Sequence, residues 1–332
     1  MCFSRLVWCL CLGSIFVSAC VRRTTEPSTT REPAPCERPV PQEPVTREAP
    51  TPDRKPAPLP GVWGGDRVID IHAHIGSFAG FDLSLSNLLE NQKRFGVEIA
   101  LISNIDGANL PGTTANLDEK KANQATVEAV RKHPDRLRGI AWSRPGDGSP
   151  TFLEPFLQMK IRKGGTRPIF VAIKFHPNMN QFAADSAKAE AYMKLCQKYR
   201  LAAVFHCGGR GENADPVKIY RLAQKFPTVP VVLYHMGFGG EHNTSLDIVK
   251  EARTKKFANL YLGTAQARTD AVLKAIKTLG SQAVMFGTDA TYYGKKHYEQ
   301  YESMVKALRK VLTPKEFQDV MRDNARKVFR LP

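Results

Sequence analysis

The chain has 332 residues, 42% of them hydrophobic and 24% charged, and a formal net charge of +16. That length suits two ordinary domains or one large α/β barrel, ~250 residues being typical of the barrel, so core size is not limiting. The basic residues are scattered over helix patterns such as AIKTLG and ALRKVL, with no module of interleaved aromatic and basic residues, so nucleic acid is not expected as a partner.

In chain order, the start MCFSRLVWCLCLGSIFVSAC places Arg5 before an apolar stretch from Leu6 to Val17 and then small residues before Cys20. This reads as a secretory signal over residues 1–19, too short for a membrane span. VSAC is similar to a bacterial lipobox, in which the signal is cut just before a cysteine that receives lipid. The resemblance implies lipidation of Cys20 and attachment to the membrane through the acyl chains. Simple cleavage and secretion is the alternative. Val21, where the common inner-membrane sorting pattern has Asp, favours a bacterial outer-membrane anchor facing the periplasm.

Residues 20–62 follow as a tether, and residues 21–60 hold 11 of the 23 prolines among Thr, Glu and Arg. Such a segment cannot bury a core. In polyproline II form, at ~3.1 Å per residue, it reaches up to ~100 Å. Of the seven cysteines, Cys2, Cys9 and Cys11 leave with the signal, which leaves Cys36, Cys196 and Cys207 beside Cys20, and no disulfide framework is implied. Residues 1–66 carry 8 basic and 7 acidic side chains, so the excess of 40 over 25 lies in the part beyond them. Attraction to anionic envelope polymers or to a carboxylate substrate accounts for it.

From residue 63 onward, short β-branched runs alternate with helical stretches. Strands are predicted at RVIDI (67), EIALIS (98), RGIAW (138), IFVAIKF (169), AAVFH (202), VPVVLYH (229), NLYLGT (259) and AVMFG (283). Helices are predicted near 84–95, 116–133, 150–160, 185–199, 215–226, 245–256, 269–279 and 297–310, with a further one from the Thr313-Pro314 start signal. Eight such units match a parallel (β/α)8 TIM barrel with an extra C-terminal helix over residues 63–332. A doubly wound sheet is the fallback, but no Gly-rich fingerprint follows the first strand.

The first strand runs into His72 and His74. Alternate side chains of an extended strand share a face, so this pair aims both imidazoles at one point, as metal binding requires. An isolated pair equally fits a hydrogen-bonded turn. Position decides more, because functional residues of a barrel gather at the C-terminal ends of its strands. His72 and His74 follow strand one, Lys174 and His176 end strand four, His206 ends strand five, His235 ends strand six and Asp289 follows strand eight. Separate accidents at one end of a barrel are a poor account of that set. His133 and His297 sit in helical or terminal contexts where surface roles suffice, and His242 is undecided between loop and site.

With DIHAH, KHPDRLRGIA, IKFHPNMNQF, VFHCGG, VVLYHMG, FGTDA and DNARKVFRL, the chain resembles the metal-dependent amidohydrolase superfamily, in its amidohydrolase-related branch, over about residues 67–331. The resemblance implies a divalent ion, usually zinc, held by His72, His74, His206 and Asp289. His235 stands where the family keeps a histidine that binds a second metal or assists catalysis. Zinc takes imidazole nitrogen and carboxylate oxygen and leaves a position for water, whose pKa it lowers toward ~7. Asp289 would carry the proton of that water and His235 would stabilise charge on a carbonyl oxygen, giving hydrolysis of an amide, ester or lactone.

Lys174 is carboxylated and bridges two metals in binuclear relatives. It shares a strand face with His176, so the pair would instead clamp a substrate carboxylate, and one ion is favoured here. Strand seven departs from the family in ending YLGTAQ. The expected partners are a small, anionic substrate and, through Cys20, the membrane, with pairing of two copies left open. Decarboxylation of an unsaturated or aromatic carboxylate is the competing reaction, and a non-catalytic envelope-binding barrel the competing class.

Overall fold

In the computed structural model the described residues are Trp63, 67–78, 81–108, 117–240 and 242–332. The expected signal peptide, Cys20, Cys36 and the expected Pro-rich tether lie outside them. The strands are β1 (Val68–Phe78), β2 (Phe81–Leu83), β3 (Val97–Asn104), β4 (Leu137–Trp142), β5 (Phe170–Phe175), β6 (Ala202–Gly208), β7 (Pro230–Phe238), β8 (Asn259–Gly263) and β9 (Val284–Met285). Eight of them run parallel in the order β1-β3-β4-β5-β6-β7-β8-β9, and β2 is added antiparallel to the outer end of β1. The curl closes by backbone hydrogen bonds between the first and last units. Ile71 donates to Phe286 at 3.1 Å, Asp289 to His72 at 2.7 Å and His74 to Ala290 at 2.6 Å. The expected (β/α)8 barrel is therefore present.

Helices α1 (Leu85–Phe95), α2 (Glu119–Lys132), α3 (Pro150–Leu157), α4 (Ala187–Tyr199), α5 (Pro216–Gln224), α6 (His242–Lys255), α7 (Thr269–Leu279) and α8 (Glu302–Val311) follow the eight parallel strands in turn. Their starts are chemically marked. Ser84, Asp118 and Ser186 each accept a hydrogen bond from the backbone N–H three residues on, which satisfies a donor the first helical turn leaves free. Gly96 ends α1 in the left-handed conformation, where the absence of a Cβ removes the steric cost. At the eighth unit, short 3-10 turns at Gly294–Lys296 and Tyr298–Tyr301 replace the start of the predicted 297–310 helix.

Two apolar layers hold the fold. The outer one lies between strands and helices. The inner one fills the barrel with Ile69, Ile71, Leu101, Val204, Val232 and Tyr234, and it continues into Val328 and Phe329 of α10 (Asn324–Phe329). The extra C-terminal helical region, which also contains α9 (Pro314–Gln318), thus plugs the barrel floor, and Arg326 pairs with Glu98 at the base of β3 at 2.8 Å. Fully burying each such side chain is worth about 1.5–3 kcal/mol. Trp63 packs its ring on Phe95, Phe286 and Tyr298 at 5.1–5.5 Å, across the seam between the first and last units.

One irregularity in β1 sets up everything at the mouth. Between Asp70 and Ala73 the strand advances three residues while β3 advances two, from Ala100 to Ile102. This is a bulge, and one extra residue reverses which side chains face inward. Ile69 and Ile71 therefore fill the barrel below it, whereas above it Ala73 and Ile75 join the outer layer. His72 and His74 are left to point into the mouth.

Candidate metal centre

Three donor atoms meet there. His72 Nε2 and His74 Nε2 lie 3.1 Å apart, and each is 3.1 Å from Asp289 Oδ1. All three residues are buried, and they form a metal-ligating cluster with donors within 4.8 Å of one another. A tetrahedral ion with bonds of ~2.0–2.1 Å spaces its ligand atoms at ~3.3 Å, close to this triangle. Asp289 reaches its place through a left-handed backbone, φ 62°, in the loop that follows β9. His235 does likewise, φ 66°, near the end of β7. Aspartate tolerates that region better than most residues, and histidine held there is the kind of strain that accompanies functional sites.

Neighbouring carbonyls fix how the rings are used. His74 Nδ1 sits 3.3 Å from the carbonyl of Ser103 and 3.1 Å from its hydroxyl; a proton on Nδ1 satisfies the carbonyl, which can only accept, and leaves the Nε2 lone pair for an ion. The same reasoning applies to His235, whose Nδ1 is 3.1 Å from the carbonyl of Ala265. His176 is opposite: the backbone N–H of Met179 donates to its Nδ1 at 3.4 Å, which puts the proton on Nε2 and makes that atom a donor. His72 Nδ1 is buried without a hydrogen-bond partner, a situation that costs about 1–3 kcal/mol, and the ring is set by stacking on Tyr234 at 3.8 Å. Strong coordination at its other nitrogen is what would offset that cost, so the donor set fits a divalent ion.

The remaining expected residues surround the triangle. Lys174 Nζ lies 3.1 Å from His72 Nε2 and 4.4 Å above the Tyr234 ring, fully buried. Burial, opposed by the charge of Asp289, pulls its pKa down to about 7. His206 is not among the three mutually close donors. Its ring stacks on His176 at 4.0 Å and stands 4.7 Å from His235. Burial lowers the pKa of His235 to about 4, and burial with the charge of Lys174 puts that of His72 well below the ordinary range, so both are neutral near pH 7. For Asp289 burial pushes upward, but the contact with the His74 ring and the positive charge of Lys174 outweigh it and hold the carboxyl below the ordinary carboxylate range.

Several residues that orient this set are silent in the sequence. Ser103 lies in no family motif, and Tyr234 and Ala265 lie within VVLYHMG and YLGTAQ with nothing in the sequence to assign them this role. Gln266, whose Nε2 donates to Asp289 Oδ2 at 2.7 Å, is the last letter of the atypical YLGTAQ. His297, expected at the surface, is 1% exposed and donates from Nε2 to the carbonyl of Thr288 at 3.0 Å, so it supports the strand-eight loop. His242 opens α6 and is buried with Nδ1 3.1 Å from the carbonyl of Met236. Asp70 lies below the bulge, where it accepts from the backbone N–H of His72 and Thr288 and from the hydroxyls of Thr288 and Tyr298.

In comparison with known proteins, the Amidohydrolase family model matches residues 69–331. The chain belongs to the amidohydrolase family. No curated protein sequence matches it. Among solved structures it is similar to 2,6-dihydroxybenzoate decarboxylase from Rhizobium, with 16% identity and a TM-score of 0.59 over 80% of this chain and 99% of that one. The 5-carboxyvanillate decarboxylase from Novosphingobium aromaticivorans, complexed with manganese, has 14% identity and a TM-score of 0.58 over 80% and 96%. The 4-oxalomesaconate hydratase from Rhodopseudomonas palustris has 16% identity and a TM-score of 0.56 over 80% and 96%. At these identities the likeness speaks for the fold.

Proposed function

We propose that this amidohydrolase-family protein is a metal-dependent hydrolase that cleaves an amide, ester or lactone bond in a small, anionic substrate. The observation that carries the reading is the triangle of His72 Nε2, His74 Nε2 and Asp289 Oδ1 at the barrel mouth. Those residues would hold the ion, zinc or another divalent metal such as the manganese of the Novosphingobium enzyme, with His206 the fourth ligand that the family resemblance implies. When bound, such an ion supplies an acidified water and a Lewis acid toward a carbonyl. Asp289, kept ionised, takes a proton from the attacking water and returns it to the leaving group. His235, neutral with its Nε2 lone pair free, serves as acceptor or ligand, and the hydrogen-bond donor toward a developing oxyanion is His176 Nε2–H. Lys174, next to His72, adds positive charge for a substrate carboxylate.

Decarboxylation is a second reading, favoured by the aromatic rim. Phe78, Phe81 and Tyr292 lie 5.2–6.3 Å from one another, Tyr292 is 6.4 Å from the His74 ring and Phe238 is 5.2 Å from the His235 ring. Phe81 and Phe238 are 45% and 47% exposed, a surface on which a planar unsaturated acid could lie. The metal-loaded protein, offered a panel of lactones, esters, amides and hydroxybenzoates in H2(18)O, distinguishes the two. Hydrolysis puts (18)O into the product acid, whereas decarboxylation releases CO2 and leaves no label in a carboxyl. Metal bound in stoichiometric amount with no turnover across the panel would return the reading to a binding barrel.

The proposal places the enzyme in the bacterial cell envelope, tethered through lipid on Cys20 in the outer membrane. Its support is the signal-like apolar stretch ahead of VSAC. Among the described residues no helix is long and apolar enough to cross a membrane. Cys20→Ser should release the protein from membranes after a 1 M salt wash, which screens charge to a Debye length of ~3 Å. Retention in the membrane fraction would end the lipid-anchor reading.

A further inference from the structure

Asp289 offers two oxygens, and only Oδ1 faces His72 and His74. Its partner Oδ2 accepts from Gln266 Nε2 at 2.7 Å. Gln266 itself stands just beyond β8 in a left-handed backbone, φ 54°, where glycine or asparagine is the ordinary choice and a long side chain needs a reason. The segment is held on a second side as well. The backbone N–H of Gln266 donates to the Tyr301 hydroxyl at 3.0 Å, and that hydroxyl donates to the carbonyl of Thr288 at 2.6 Å, the residue before Asp289. Gln266, Tyr301, Thr288 and Asp289 thus close a ring, in which the amide touches the carboxylate from behind.

We propose that Gln266 is the positioning residue for the carboxylate ligand, tying Oδ2 so that Oδ1 is the oxygen presented to the ion; this rests on reading His72, His74 and Asp289 as a metal centre. A primary amide suits the task because it is a neutral donor. It strengthens the carboxylate's hold on its orientation without competing for its charge, as a lysine would, and without exchanging a proton with it, as a histidine would.

The left-handed backbone makes a clean test available. Gln266→Gly removes the amide while easing the backbone, and Gln266→Met keeps the length without the donor. Full-length protein is stripped with a chelator, and Mn2+ affinity is measured by chelator competition, alongside the metal-free thermal midpoint and the visible spectrum of the Co2+-loaded protein. Losing an outer hydrogen-bond partner of a metal ligand costs ~10–100-fold in affinity. Both variants should show that loss and an altered Co2+ spectrum, with the metal-free midpoint of Gln266→Gly unchanged or raised. Affinity within about twofold of the parent in both variants overturns the positioning role and leaves the metal centre standing. A lowered metal-free midpoint with unchanged Co2+ spectrum also overturns it, since Gln266 would then be structural. Failure of the parent protein itself to bind Mn2+, Zn2+ or Co2+ removes the metal centre and this inference together.

Discussion

Exchanging donor and acceptor between Gln266 and Asp289 makes a demanding test of the site. In Asp289→Asn the new side chain has one oxygen and one NH2. If the oxygen stays toward His72 and His74, the NH2 faces the Gln266 amide donor at a separation that is now 2.7 Å, and a buried donor goes unpaired at about 1–3 kcal/mol. If it flips, the Gln266 bond is kept but an NH2 replaces the ligand oxygen. In the first orientation affinity falls by ~5–150-fold from the unpaired donor alone, with the lost negative charge in addition; in the second the ligand oxygen itself is lost. Adding Gln266→Glu to Asp289→Asn supplies an acceptor for that NH2 and should recover about tenfold in Mn2+ affinity. Gln266→Glu alone should weaken binding, because two facing carboxylate oxygens repel and turn Asp289 away. The effect of Gln266→Glu therefore reverses sign between the two backgrounds in a chelator-competition assay. An effect of the same sign in both would reduce Gln266 to a bulk charge contribution and refute the reasoning.

Three further outcomes follow from other parts of the molecule. Glu119, at the start of α2, accepts from the Arg144 backbone N–H and the Tyr192 hydroxyl, and burial pushes its pKa up to about 7 from 4.5. The folded state then holds the proton more tightly than the unfolded chain, so stability falls as pH rises from about 4.5 through about 7; urea unfolding at pH 5 and pH 8 should show Glu119→Gln removing about 3 kcal/mol of that fall, and parallel losses in both proteins would contradict it. Phe329→Ala, in the plug of the barrel floor, should cost about 3–5 kcal/mol by the same assay, and a cost below about 1 kcal/mol would mean the plug is not part of the core. Elemental analysis should give about one ion per chain, whereas a second ion that appears with bicarbonate and disappears in Lys174→Ala would show a bridging, carboxylated lysine.

The barrel was legible because its strands are buried on both faces, so runs such as IFVAIKF and VPVVLYH declare themselves without alternation. The site was legible in outline for a related reason: strand ends are where such runs stop, and His72, His74, Lys174, His206 and His235 stand at those stops. Spacing alone, however, puts Asp70 on the same face as His72 and His74, whereas the structure turns it outward to Thr288 and Tyr298. The cause is the bulge between Asp70 and Ala73, which exists only in the register of β1 against β3. The orienting partners were hidden for the same reason. Ser103 meets His74, Ala265 meets His235 and Gln266 meets Asp289 across 29, 30 and 23 residues of chain, contacts that closure of the barrel creates. His297 was misplaced because a lysine-rich neighbourhood reads as surface, while its ring packs beneath the strand-eight loop.

Anomalous diffraction from crystals of the full chain grown with Mn2+ tests the central claim most directly. The account predicts a single strong peak among His72 Nε2, His74 Nε2 and Asp289 Oδ1, lost in His72→Ala. A protein that shows no peak at the barrel mouth, or whose peak lies on other residues and survives His72→Ala, would contradict it.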